Sequence, residues 1–441
     1  MSGGGIGDDG ASDDGFVAGV GRPLEGIRVL SMEQAAALPY ATRHLADLGA
    51  DVIRVASPKR PAGGLDNVEL VRSKRQLALD LDSPGGPEAF RRVAAGCDVV
   101  AHNFTPRVMR KYGIDPGTLR AADPALVYLS LTGAGTTGPW ADRPLFGPGA
   151  EAASGHAMLI GDRDGWPGRP GTVTYADNTC GLYALLAVLA ALEERGRTGK
   201  GTHVDVSLYE TAVSALGPVF AELALGAEPQ RSRNADIRYA LHGVFAAEGH
   251  DRSVAIAATE AQLPAVAEVL GLGAGVGNVD GIAVATAVAT WPADDLADAL
   301  QRAGVAAAVA ADAGDVATDA QLRARGWFGV VPQPDAHDHA VEASGPAWGG
   351  GAIVPMAAPH AVGADSRDVL RGVGGLADAE IDELLAAGTV GELVAPKRPG
   401  TSSDPTVRLD RGELSRVDAD VQERLQRARS AAESAAPGRP A

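Results

Sequence analysis

The 441-residue sequence has only two cysteines, Cys97 and Cys180, and no CxxC pair, so it offers neither a disulfide framework nor zinc-ligand spacing. Lysine is scarce: Lys59, Lys74, Lys111, Lys200 and Lys397 are the whole set, and arginine carries nearly all positive charge. With 39 basic and 56 acidic side chains the net charge is −17, a sign that repels phosphate backbones and excludes nucleic acid as the main partner. Long hydrophobic runs are missing too. The longest, Gly181 to Leu192, falls short of the about 20 residues that cross a bilayer, so no membrane partner is expected. The leader, residues 1–22, has no basic start and no apolar block, the reverse of a secretory signal, and is predicted to be a disordered acidic segment. Together with cysteine scarcity this predicts a cytoplasmic protein. The nine histidines form no HExxH and have no carboxylate at helical spacing, so no metal site is expected. No GxSxG is present, which removes support for serine hydrolase chemistry.

What is present is an ordinary globular balance, 45% hydrophobic and 22% charged, with 57 glycines and 28 prolines that demand many turns. After the leader, Ile27 to Met32 is predicted as a strand. A helix with Ala41, Leu45 and Leu48 at i, i+4, i+7 follows, then a strand from Asp51 to Ser57. Such β-α-β spacing calls for a parallel pair with a right-handed crossover. Strands at Arg75 to Leu81, Asp98 to Phe104, Ala125 to Leu131 and His203 to Leu208 continue the alternation, which predicts an α/β layer with a mostly parallel sheet. A long apolar helix is predicted from about Asn178 to Arg195. From about Ala235 the chain turns alanine-rich, with strands at Ser253 to Ala258 and Val305 to Val309. Helices at Ala261 to Leu270, Ala293 to Ala303 and Asp319 to Arg325 complete a smaller α/β domain. The Gly/Pro-rich stretch Ala343 to Pro359 reads as a linker, and a polar tail with one charged helix near Asp418 to Ser434 as an extension outside the fold.

Two features are candidates for chemistry. Gly133 to Gly138 matches GxGxxG after a strand, but Pro139 and Pro144 break the helix whose N-terminus would face a pyrophosphate, so a tight turn is the better account. Asp177 stands where the long helix begins. Position alone leaves it open between an N-cap and a carboxylate kept anionic by the helix dipole, able to attack an activated carbonyl.

Ordered segments along the chain carry more weight. Pro23 to Leu30, Pro39-Tyr40-Ala41-Thr42, Leu45 to Ala50 and Val52-Ile53-Arg54-Val55 come first. Ser73-Lys74-Arg75, Asn103-Phe104-Thr105-Pro106, Gly135 to Pro139 and Arg197 to Gly201 with His203 to Leu208 follow. Asp319 to Gly326 and the segment from Ser366 to Val390 close the set. Over about Pro23 to Val390 the chain resembles the class III CoA-transferases, the CaiB/BaiF family, to which formyl-CoA transferase, carnitine CoA-transferase and α-methylacyl-CoA racemase belong. The resemblance implies a Rossmann-like large domain over 23–225, a small domain over 226–343, and a linker and return to the large domain over 344–393. The polar tail occupies 394–441. It also implies an interlocked homodimer and, as substrates, an acyl-CoA and a carboxylic acid, with coenzyme A as the carried group and no metal. By matching position Asp177 becomes the nucleophile, forming a mixed anhydride and then an aspartyl-CoA thioester. Ala36, Lys74, Arg75, Asn103, Phe104, Lys111 and Tyr112 become the CoA groove, the cations serving the phosphates and an aromatic serving adenine.

The sequence departs from the family in places. Phe146 and Gly147 stand where the racemases carry a His and an Asp, which counts against the alternative of an acyl-CoA racemase, because a 1,1-proton transfer needs a base on each face of the α-carbon. Leu38 replaces a usual Gly, Ala56 replaces a usual acid, and the small domain is shortened between Leu272 and Trp291. These motivate a third reading, a CoA-binding homologue without catalysis.

Overall fold

Short apolar runs buried on both faces alternate with amphipathic helices through the first half of the chain, the sequence pattern of a parallel sheet covered by helices. In the computed structural model these runs are β1 (Arg28–Met32), β2 (Asp51–Ala56), β3 (Arg75–Leu79), β4 (Val99–His102), β5 (Val127–Thr132) and β6 (His203–Ser207). The structure describes residues 22–59, 68–161, 164–168, 174–231, 233–273, 279–325, 327–331, 339–342, 344–348, 351–353, 357–392 and 409–410. The predicted leader (all but residue 22), the polar tail (all but 409–410) and the helix expected near Asp418 to Ser434 lie outside the described residues.

The seven-stranded sheet has the order β14-β3-β2-β1-β4-β5-β6, in which all pairs are parallel except β14 (Val390–Gly391), antiparallel to β3. Val29 of β1 is paired with Val52 on one side and Val99 on the other. The chain therefore builds outward from β1 to β3 and then returns to add β4, β5 and β6 on the opposite side. That reversal opens a crevice at the carboxyl ends of β1 and β4, the place where open α/β sheets bind ligands.

The helices along this part are α1 (Ala37–Asp47), α2 (Val68–Val71), α3 (Gly86–Ala94), α4 (Pro106–Tyr112), α5 (Pro116–Ala122), α6 (Gly147–Ala153), α7 (His156–Leu159), α8 (Tyr175–Thr198), α9 (Leu208–Ser214) and α10 (Gly217–Ala224). Alternate residues of each strand feed two cores. Val127, Leu129 and Leu131 of β5 pack with α1 and α8, whereas Tyr128 packs on the other side with Phe90, Met109 and Leu119. Helices α1 and α8 approach closely at Gly181, where an added Cβ would lie 2.7 Å from the Ala37 carbonyl oxygen. Helix α8 is longer than its apolar pattern suggested. At 24 residues it is long and apolar enough to cross a bilayer by length and composition, which corrects the expectation drawn from Gly181 to Leu192. Here Cys180, Ala184, Val188 and Ala191 bury one face of it in the core.

The chain divides into two compact units, one from the described residues of 1–156, 170–221 and 320–441, the other from those of 157–169 and 222–319. The second unit holds the antiparallel sheet β7 (Leu241–Ala246), β8 (Ser253–Ala258) and β9 (Ala306–Val309), with α11 (Leu263–Leu270), α12 (Gly281–Val288), α13 (Ala293–Arg302) and α14 (Ala313–Thr318). Its core joins Val254 and Ile256 of the sheet to Val266, Val284, Leu296 and Leu300 of the helices. Beyond α15 (Ala320–Ala324), β10 (Phe328–Val331) pairs with β11 (His339–Glu342), and β12 (Ser344–Trp348) with β13 (Gly351–Ile353). The predicted linker thus contains an antiparallel strand pair among its described residues. Helices α16 (Ser366–Gly372) and α17 (Asp378–Ala386) then cover the first sheet, with Val369, Leu370 and Ile381 in its core.

Candidate active site

Loops leaving the carboxyl ends of the strands enclose two cavities in the first unit. The larger, about 690 Å³, is lined by Met32 to Ala35 after β1, Val55 to Lys59 at the end of β2, Leu79 to Asp82 at the end of β3, and Phe104, Val108, Lys111 and Tyr112. The smaller, about 260 Å³, runs past Asn103, Thr132, Gly133 and the segment 142–146 to Asp177. Gln34, Ala35, Phe104 and Val108 belong to both walls.

Asn103 fastens the crevice. Its Oδ1 accepts from the Gln34 backbone N–H at 2.9 Å and its Nδ2 donates to the Gln34 carbonyl at 2.7 Å, so one side-chain amide ties the loop after β4 to the loop after β1. Next to it, the Phe104 N–H donates to His102 Nδ1 at 3.2 Å, which orients the loop that presents the Phe104 ring. Burial pushes His102 down to about 3.

At the outer end of the larger cavity Lys111 Nζ donates to Asp82 Oδ1 at 2.5 Å and lies 4.6 Å from the Tyr112 ring centre. Lys59 Nζ is 2.5 Å from Asp80 Oδ2, and both lysines are mostly exposed. Lys59 was not singled out by the sequence; its signal is its place just after β2, at the same end of the sheet.

Two expected groove residues lie elsewhere. Lys74 is fully buried: its Nζ donates to Glu33 Oε1 at 2.7 Å, Thr42 Oγ1 at 2.7 Å and the Pro39 carbonyl at 3.1 Å. Burial lowers its pKa to about 8 against the pull of Glu33. Glu33 is held below the usual carboxylate range, because Lys74 and Arg54 outweigh its own burial. Arg75 is the first residue of β3, at the amino end of the sheet, where it donates to Asp51 Oδ1 at 2.8 Å beside Arg28. The expectation that Lys74 and Arg75 meet nucleotide phosphates is therefore corrected: one is enclosed in an ion pair and the other is at the wrong end of its strand. Ala36 is the N-cap residue of α1, and its neighbours Ala35 and Ala37, rather than Ala36 itself, line the smaller cavity.

Asp177 is 7% exposed at the end of the smaller cavity. The helix starts earlier than its pattern indicates, so Thr174 is the N-cap and Asp177 the third helical residue. The Thr174 hydroxyl donates to Asp177 Oδ2. Burial raises the Asp177 pKa above its ordinary value, the Thr174 hydrogen bond opposes this, and the buried Glu151 carboxylate adds to it. This reverses the expectation of a carboxylate depressed by the helix dipole, because desolvation dominates. Gly147 is what makes room for the group. A Cβ built there would lie 2.2 Å from Asp177 Oδ2 and 2.7 Å from Thr174 Cβ.

Phe146 lines the same cavity, and no histidine is among the described residues lining either one. His156 instead meets Ser154 Oγ at 3.0 Å and the Tyr175 ring, outside both walls. The Gly133 to Gly138 segment is a loop with positive φ at Gly135 and Gly138, followed by no helix until α6.

The family model for CoA-transferase family III matches residues 24–366. Among curated proteins, the succinyl-CoA–L-malate CoA-transferase beta subunit of Chloroflexus aurantiacus is 37% identical over 201 residues, which is 43% of this chain and 50% of that protein. The succinyl-CoA:glutarate CoA-transferase of Mus musculus is 35% identical over 220 residues, 46% of this chain and 50% of that protein. The chain spans about half the length of these curated relatives. Among solved structures, a CaiB/BaiF family protein from Brucella suis matches with a TM-score of 0.72 and 28% identity, covering 80% of this chain and 99% of that one. With its switch-point crevice, its buried Asp177 and a family model spanning most of its length, the chain belongs to CoA-transferase family III.

Proposed function

We propose that the protein moves CoA from an acyl-CoA to a free carboxylic acid through Asp177. The observation that carries this is a pair of cavities that share Gln34, Ala35, Phe104 and Val108 in their walls, one lined by Asp177 and the other by Lys59 and Lys111. A thioester bound with its nucleotide at the lysines and its arm along the shared wall reaches Asp177 with the acyl end. The names of the relatives point to succinyl-CoA as donor and to a dicarboxylic acid such as glutarate or malate as acceptor.

In the proposed reaction an Asp177 carboxylate oxygen attacks the thioester carbonyl, and the tetrahedral adduct expels CoA thiolate to leave a mixed anhydride. The thiolate then attacks the Asp177 carbonyl carbon, releasing the donor acid and forming an aspartyl-CoA thioester. The acceptor carboxylate repeats both steps in reverse order, giving the new acyl-CoA and regenerating Asp177. Dividing the exchange in this way replaces one difficult transfer by easier ones. Burial favours it by stripping water from the nucleophile and from the hydrolysable anhydride. For racemisation, no histidine stands in the described lining to act as the second base.

The exposed apolar side chains Leu182, Tyr183 and Leu186 on α8 support a second copy of the chain as partner. The decisive experiment is mass spectrometry of the protein incubated with succinyl-CoA. An adduct on the peptide holding Asp177 is expected, absent in Asp177→Ala; an adduct that persists in that variant refutes the assignment.

A further inference from the structure

Two arginines that line the same cavity as Asp177 have no part in the chemistry above. Arg107, near the start of α4, and Arg143 both line the smaller cavity, and neither lines the larger one where the lysines stand. Among the described residues neither side chain forms an ion pair. The acid nearest to them in the wall, Asp142, is already engaged: Oδ1 accepts from the Arg107 backbone N–H at 2.8 Å and Oδ2 from Arg110 Nη2 at 3.2 Å. The Arg143 guanidinium lies 5.4 Å from the Trp140 ring centre, a stacking contact that limits its orientations. Most of the remaining wall is apolar, with Phe104, Leu131, Leu145 and Leu208 among its residues.

A monocarboxylic acyl group presents no charge to such a wall once its carboxyl is the reacting thioester. A dicarboxylic one carries a second carboxylate about four or five bonds away, and a planar guanidinium recognises it through paired, charge-assisted hydrogen bonds. We propose that Arg107 and Arg143 bind the distal carboxylate of a dicarboxylic substrate and so select dicarboxylic over monocarboxylic acyl groups of equal length. This rests on the CoA-transferase reading above.

The test compares kcat/KM for succinyl-CoA and butyryl-CoA in the unmodified chain, Arg107→Met, Arg143→Met and the double variant. Equilibrium binding of both thioesters is measured alongside. Each preparation is its own control, because loss of folded protein lowers both donors together. The succinyl-to-butyryl ratio is expected to fall about tenfold in each single variant and further in the double, with Arg107→Lys recovering part of it. An unchanged ratio overturns the proposal, and weaker equilibrium binding of both thioesters alongside it places the arginines on the CoA phosphates. If the unmodified chain transfers CoA from neither donor, the transferase reading fails, and the binding ratio still decides what the arginines recognise.

Discussion

Replacing Gly147 by alanine exchanges a hydrogen for a methyl group at the tightest point of the site. The new Cβ would sit 2.2 Å from Asp177 Oδ2, so reaching the 3.4 Å of an ordinary contact requires the two groups to part by about 1.2 Å. The carboxylate has little room to retreat, because Thr174 holds the same oxygen and Thr174 Cβ is itself 2.7 Å from the added atom. A misplacement of about 1 Å at a reacting atom costs on the order of 100-fold in rate. The expectation for Gly147→Ala is therefore a kcat lowered by about 100-fold with a KM for the CoA thioester changed far less, since the larger cavity is untouched. Stability should fall by no more than about 1–3 kcal/mol, the usual cost of overpacking, partly offset by the helix preference of alanine at the start of α6. Steady-state kinetics and urea unfolding on the same protein read both quantities. A kcat within about threefold of the unmodified chain would mean that the nucleophile does not need its present position, and the reasoning from Gly147 to Asp177 would fail.

Two pH dependences follow from burial. In the proposed reaction Asp177 must be ionised to attack, so activity falls as pH drops through its raised pKa; the acid limb of kcat/KM is expected above the ordinary aspartate value of 3.8, and a limb at or below that value refutes the desolvated site. His44 and His102 are both pushed down to about 3, each chiefly by burial, with Arg43 adding to the effect at His44 and His203 at His102. Because the unfolded chain binds protons near 6.5 and the folded chain does not, stability declines as pH falls from about 6.5 towards 3, by up to about 1.4 kcal/mol per pH unit for each histidine. Urea unfolding at several pH values checks this, and His102→Gln should make the decline shallower.

The sheet was largely legible because fully buried parallel strands read as short apolar runs and the helices between them carry a 3.6-residue stripe. α12 is hard to read from sequence because its Gly, Ala and Val side chains give weak periodicity. Asp177 stood out by position, but only the resemblance distinguished it from a cap. The error at Lys74 and Arg75 has a plain cause. Both stand at the entrance to β3, and in a parallel sheet the entrances gather at the edge opposite the crevice. Lys59, Asp80 and Asp82, which follow strands, are the residues at the crevice edge. Arg107, Arg143 and Gly147 acquire meaning only once the loop before α6 is folded against Asp177, a tertiary contact that no local spacing encodes.

The clasp at Asn103 divides labour between segments of the chain. The larger cavity is walled by the exits of β1, β2 and β3 with α4, and the smaller by the loop after β1 and α4 together with the end of β5, the loop 142–146 and α8. In the proposed reaction the handle common to every CoA thioester meets one set of residues and the variable acyl group another, the two overlapping only at Gln34, Ala35, Phe104 and Val108. In the proposed reaction, substitutions at Arg107 and within 131–146 retune which acid is accepted while the nucleotide end keeps its grip, so one scaffold can serve many acids without relearning how to hold coenzyme A.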